Sequence, residues 1–220
     1  MKNQKVTFDL GLTNKIFKMN LNSLVESSKF NLNEIKKQNE EFYINLKDQS
    51  PKEDLMEISS HLANIDWILL NSIFVSSFSF FEHQLFALAR IVEDNNSSKI
   101  SINDINGKGV VKFCNYLFLV GNIESANRSK NKWNEINLYQ KVRNMIVHNG
   151  AIMIDDLNKN IKNHECYNFL KEQNVTMAGE IGHIRIRQIN FIANFNIIAS
   201  KISDAITDEI LEKYKINNCC

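Results

Sequence analysis

The stretch WILLNSIFVSSFSFF, Trp67 to Phe81, carries no charge, and how it is read decides the fold. It falls short of the ~20 apolar residues a membrane-spanning helix needs, and Asn71 and four serines interrupt it. It therefore reads as a buried core helix. The composition agrees: a single proline and seven glycines are too few for the many turns of a sandwich or barrel. With 220 residues, 44% hydrophobic and 23% charged, the chain can build one substantial core.

Working outward, the same helix extends back through Ile65, Leu62, Ile58 and Leu55, which recur at helical spacing, and forward to Glu93. Being apolar nearly all round, its middle is expected to be the central pillar. Just upstream, Ser50-Pro51-Lys52-Glu53 is a helix restart, with Ser50 as cap, Pro51 at the first helical position and Glu53 completing a capping box. Before it, Thr13 to Lys47 reads as helix, with Leu21, Leu24, Val25, Leu32, Ile35, Phe42, Tyr43 and Leu46 at helical intervals. Downstream lie a polar connection, Asn95 to Gly109, and a short helix, Val110 to Val120. A second polar loop, Gly121 to Lys132, leads to a helix opened by Trp133 and stopped at Asn149-Gly150. Val175 to Arg187 holds a strand pattern in which His183 and Arg185 alternate with Ile184 and Ile186, and a last helix runs from Gln188 to about Lys213. The expectation is an all-α chain of four to six helices with a small β-hairpin or extended arm before the last one. It reads as a single domain over 1–220: an N-terminal helical segment to about 48, a core over 50–213 and a tail over 214–220.

The 26 basic and 25 acidic side chains nearly cancel, so no global field draws the protein to nucleic acid or membrane, and a polyanion must be held by a local cluster. Cys114, Cys166, Cys219 and Cys220 lack zinc-ligand spacing, and neither a metal nor a cofactor is expected. Reduced thiols, and no apolar run behind Lys2 and Lys5, fit a cytoplasmic location.

A local cluster exists in KVRNMIVHNG, Lys141 to Gly150. Set on a wheel of 100° per residue, Leu138, Val142, Met145, Ile146 and Asn149 share the core-facing arc, whereas Gln140, Arg143, Asn144, Val147 and His148 share the opposite one. Asn144 and His148 are four apart, so the amide can reach the imidazole and bias its tautomer. The carbonyl end of the helix dipole beside His148 suits a protonated ring. An arginine for phosphate, a titratable histidine and an orienting amide suit phosphodiester chemistry. The plain alternative is a solvated face ending in a cap. Val147, apolar in the middle of this face, points to a cover, such as the same helix of a second copy.

Arg143-Asn144-Met145-Ile146-Val147-His148 resembles the signature of the HEPN superfamily, in which an arginine is followed by four to six residues and a histidine. SFSFFEHQLFALARIVE (Ser77 to Glu93), INGKGVVKFCNYL (Ile105 to Leu117) and WNEINLYQKVRNMIVHNG (Trp133 to Gly150) also look like successive segments of bacterial HEPN proteins of defence and toxin loci. The resemblance covers roughly residues 55–210 and implies a HEPN-like helical bundle. It further implies a metal-independent endoribonuclease that acts as a homodimer. Arg143 and His148 of both protomers would be catalytic, with Asn144 orienting the histidine or the phosphate, and RNA would be cut through its 2′-hydroxyl. Such a protein would serve as a toxin or antiphage effector restrained by an antitoxin or defence-system partner. The alternative is a non-catalytic HEPN-like module that binds RNA or protein in a defence system; a third reading is a purely structural helical dimer.

Other residues have two readings each. Asn149, Arg185 and Arg187 are substrate-binding candidates, and with His183 the two arginines could grip RNA backbone, although a solvated strand face is the simpler reading of the arm. Glu82 could pair with Arg143 or be a lone acid on an exposed stripe. Lys108 and Lys112 flank glycines, but NGKG lacks P-loop spacing and reads as a turn. His61 and His164 have no partner at metal spacing.

Overall fold

The computed structural model describes residues 2–47 and 52–216. Among them are six α-helices and one two-stranded antiparallel sheet. The elements are α1 (Lys2–Lys47), α2 (Lys52–Asn95), α3 (Gly109–Asn115), α4 (Asn134–His148), α5 (Tyr167–Glu172), β1 (Thr176–Ala178), β2 (His183–Arg185) and α6 (Asn190–Ile216). The chain is thus mostly helical, and the hairpin stands before the last helix as expected, with Met177 opposite Ile184. The Ser50-Pro51 cap, Cys219 and Cys220, and the side chains of Leu46, Glu53, Leu55, Ile58, His61 and Leu62 lie outside the described residues.

Two elements differ from the sequence expectation. Helix α1 begins at Lys2 instead of Thr13, because Val6 and Leu10 continue the buried stripe of Phe17, Leu21, Val25 and Leu32 by further turns. Helix α5 occupies a segment that polar residues at both ends conceal; its apolar content is Phe169 and Leu170, both buried.

Helix α2 is less uniform than its composition. By length and composition, Asn64–Asn95 would suffice to cross a membrane. In the fold it is amphipathic. Leu70, Phe74, Phe78, Phe81, Leu85, Leu88 and Val92 are buried, while Ile68, Ser72, Ser76, Ser79, His83 and Arg90 are exposed. The exposed serines sit in a helix without strain because Ser72 and Ser76 donate to the carbonyls of Ile68 and Ser72.

By packing, the chain divides into two compact units. The first comprises Met1–Leu21, Phe78–Tyr139 and Phe195–Cys220. Its core is aromatic: Phe195 stacks on Phe78 at 5.4 Å and meets Phe81 and Tyr139 edge-on at 6.1 and 5.2 Å. A polar chain crosses it, in which Gln84 donates to Ser203, Ser203 to Asn14, and Asn14 to Asp204. The donors along that chain are thereby satisfied.

The second unit comprises Asn22–Ser77 and Gln140–Asn194. Asn71, the polar break in the opening stretch, holds the hairpin there. Its amide donates to the carbonyl of Ile184 at 3.0 Å and accepts from the backbone N–H of Ile186 at 3.1 Å. Both isoleucines are fully buried, so water cannot replace these bonds. Asn71→Ala is expected to cost about 2–4 kcal/mol, because two buried backbone groups lose their partners at ~1–2 kcal/mol each, the lower part of the range for an unsatisfied buried group. The midpoint of urea unfolding measures it, and an unshifted midpoint would show that the amide holds nothing.

Candidate functional site

Helix α4 exists because its apolar residues recur at helical spacing, and that spacing fixes which side it buries. Val142 and Met145 are buried, Leu138 and Ile146 half-buried. On the other side Arg143 is half-buried, while Asn144, Val147 and His148 are exposed. Asn149, placed on the core-facing arc by the wheel, is exposed, because the helix has ended at His148. The backbone N–H groups of Asn149 and Ala151 both donate to the Met145 carbonyl at 3.0 Å, closing the last turn.

The three polar residues of this face are in contact. Arg143 Nη1 donates to Asn144 Oδ1 at 3.1 Å and lies 3.5 Å from His148 Nε2. A guanidinium only donates hydrogen bonds, so in this pair Arg143 can act only as the donor. Asn144 thus orients Arg143, and no hydrogen bond joins Asn144 to His148 among the described residues. Arg143 Nε is buried without a hydrogen-bond partner, and the residue forms no ion pair among the described residues. The cluster is a cation with spare donors beside an imidazole ring, open to solvent. Such a group can hold a phosphate oxygen and take up a proton within one small space.

Beyond His148 the chain turns through two left-handed residues, Gly150 and Ala151, at φ of +60° and +63°. The alanine's strain, of order 1–2 kcal/mol, is offset because its carbonyl accepts from the N–H of Ile184 at 2.8 Å. Ile152 then bridges to His183. The residues following the cluster are therefore anchored on β2. They line a cavity of about 570 Å³ with Asn149, Ile152, Met153, Ile154, Asp155 and Ile181. Sequence reading identified Asn149 alone among these; the remaining signal was the short apolar run Ala151 to Ile154.

The hairpin arm is already engaged. Its Arg185 guanidinium lies 5.4 Å from the Trp67 ring centroid, and the His183 ring meets Trp67 edge-on at 5.0 Å. Burial, and then the Arg185 charge, lower the proton affinity of His183. Arg187 lies beyond the strand and is exposed. Glu82 belongs to the other unit, where its carboxylate packs against Gly109, so close that a Cβ there would lie 2.7 Å from Oε1. Gly107 and Gly109, at φ of +110° and +54°, make the NGKG segment a turn. His164 Nδ1 accepts from the Cys166 N–H, a local structural bond. Burial pushes the thiols of Cys114 and Cys166 up to about 12 and about 11, so neither is a nucleophile near neutral pH. Among the described residues, no cluster of three or more His, Cys, Asp or Glu is arranged to hold a metal ion.

In comparisons with known proteins, no family model, curated protein or solved structure matches the chain.

Proposed function

We propose that the protein is a metal-independent endoribonuclease of the HEPN type that acts as a homodimer. The reading rests on one observation: Arg143 and His148, spaced as in the HEPN signature, share one solvent-open spot with Nη1 and Nε2 3.5 Å apart. Asn144, directly after the arginine, holds the guanidinium in place.

The chemistry follows from these groups. His148 Nε2 accepts the proton of the RNA 2′-hydroxyl, and the 2′-oxygen attacks the adjacent phosphorus. Arg143 donates to the non-bridging oxygens, where negative charge builds. The P–O5′ bond breaks, and an imidazolium, such as that of the second protomer's His148, protonates the departing 5′-oxygen. The products are a 2′,3′-cyclic phosphate and a 5′-hydroxyl. A 2′-hydroxyl is required, so DNA is not cut. Val147, 43% exposed in the middle of this face, is an apolar centre for a twofold contact that would bring two such sets together. In the cell such an enzyme would serve as a toxin or antiphage effector held by a partner.

The test is incubation of wild type and His148→Ala with end-labelled RNA in EDTA. Cleavage by the wild type alone, leaving cyclic phosphate ends, is the expected result. RNA retention without cleavage in either protein would assign the chain instead to the non-catalytic binding modules.

A further inference from the structure

We infer that the cavity behind His148 is a nucleobase subsite that selects guanine, an inference that rests on the ribonuclease reading above. Its volume of about 570 Å³ is suited to a ligand the size of one nucleotide. Its first wall residue, Asn149, directly follows His148, so a base held there belongs to a nucleotide whose phosphate can lie at the Arg143–His148 cluster. Consecutive Cα atoms are about 3.8 Å apart, well within the span of one nucleotide.

The lining states what kind of group fits. Ile152, Met153, Ile154 and Ile181 offer aliphatic walls for a flat ring. These walls are fixed, because the N–H groups of Met153 and Ile154 both donate to the Ile181 carbonyl, at 3.2 and 3.3 Å. Gly182, at φ +67°, allows the close approach: a Cβ there would lie 3.0 Å from Met153 Sδ. The polar groups are the Asn149 amide and the Asp155 carboxylate. A carboxylate in the lining repels phosphate, so the cavity takes the base and leaves the phosphate to Arg143.

Asp155 also discriminates among bases. Hydrogen bonding and charge from Lys159, whose Nζ lies 3.3 Å from Oδ1, hold its carboxyl below the usual range. An ionised carboxylate only accepts hydrogen bonds, and its two oxygens carry about four lone-pair sites, more than the Lys159 bond uses. Guanine alone presents two adjacent donors, N1–H and the N2 amine, on its pairing edge. Adenine, cytosine and uracil each set an acceptor beside their donor, which the carboxylate repels. The Asn149 amide can donate to the guanine O6.

The test is binding of fluorescent single-stranded 2′-O-methyl RNA tetranucleotides to the wild-type protein. These ligands cannot be cleaved through the 2′-hydroxyl, so binding is read independently of activity. A tetranucleotide with one guanine is expected to bind about tenfold more tightly than its inosine or adenine counterpart, the lower part of the range for bidentate base contacts given the exposure of Asp155. Asp155→Asn is expected to erase that preference while the melting temperature stays unchanged. Equal binding of guanine and inosine by wild type, or a preference that survives Asp155→Asn, overturns the inference. A guanine preference without RNA cleavage by the wild type would retain the subsite and reject the ribonuclease reading.

Discussion

His148→Ala is expected to lower RNA cleavage by about 10²–10⁴-fold, the usual contribution of a positioned general base or acid. Arg143→Ala is expected to lower it by about 10²–10³-fold, as does loss of one charge-stabilising donor at a developing oxyanion. Both residues lie on the side of α4 turned from the core, and His148 is exposed, so its loss is expected to move stability by no more than ~0.5 kcal/mol. A chain of this size would then melt within about 1–2 °C of wild type. Arg143→Lys keeps the charge but cannot hold Asn144 and a phosphate with one planar fork, and should recover little of the rate. Asn144 is a positioning residue that acts through Arg143. Asn144→Ala should slow the wild type several-fold and add nothing to Arg143→Ala, which a double-mutant cycle on kcat/KM reads directly. Equal cleavage by wild type and the His148 variant would end the catalytic assignment; a full additional loss from Asn144→Ala would give that residue a role of its own.

These substitutions could be chosen from sequence because a helix converts spacing into direction. Arg143, Asn144 and His148 fall on one arc of α4 whatever surrounds it, and the structure brings them into contact. The wheel could not decide which partner the amide takes, His148 four residues on or Arg143 beside it. The length of the arginine side chain decides that. The cavity was less legible still. Its walls come from Asn149 to Asp155 and from Ile181, joined by backbone bonds between segments far apart in sequence, and no periodicity encodes that pairing. A similar gap separates the opening stretch from its helix. Trp67 to Phe81 announced a core element, but not that Ile68, Ser72, Ser76 and Ser79 would face outward, because serine's bond to the preceding turn makes it neutral as a marker of burial. Val6 and Leu10, by contrast, were readable as an extension of α1; polar neighbours diluted a stripe that was present throughout.

Phe195→Ala is expected to give the largest loss of stability of any change considered, about 3–5 kcal/mol. The ring is fully buried, stacked on Phe78 and edge-on to Phe81 and Tyr139. Its removal forfeits the transfer free energy of a phenyl group and these oriented contacts, and the flat neighbours cannot collapse into the space. At ~2–4 °C per kcal/mol for a chain of this length, the melting temperature should fall by about 6–20 °C. Phe195→Leu fills much of the volume and should cost about 1–2 kcal/mol, so the difference between the two variants measures the cavity. Below its own midpoint, Phe195→Ala should cleave RNA at the wild-type rate per folded molecule, since Phe195 packs in the first unit and Arg143, Asn144 and His148 belong to the second. A melting temperature within 2–4 °C of wild type, ~1 kcal/mol, would mean that the aromatic cluster is not the core of its unit.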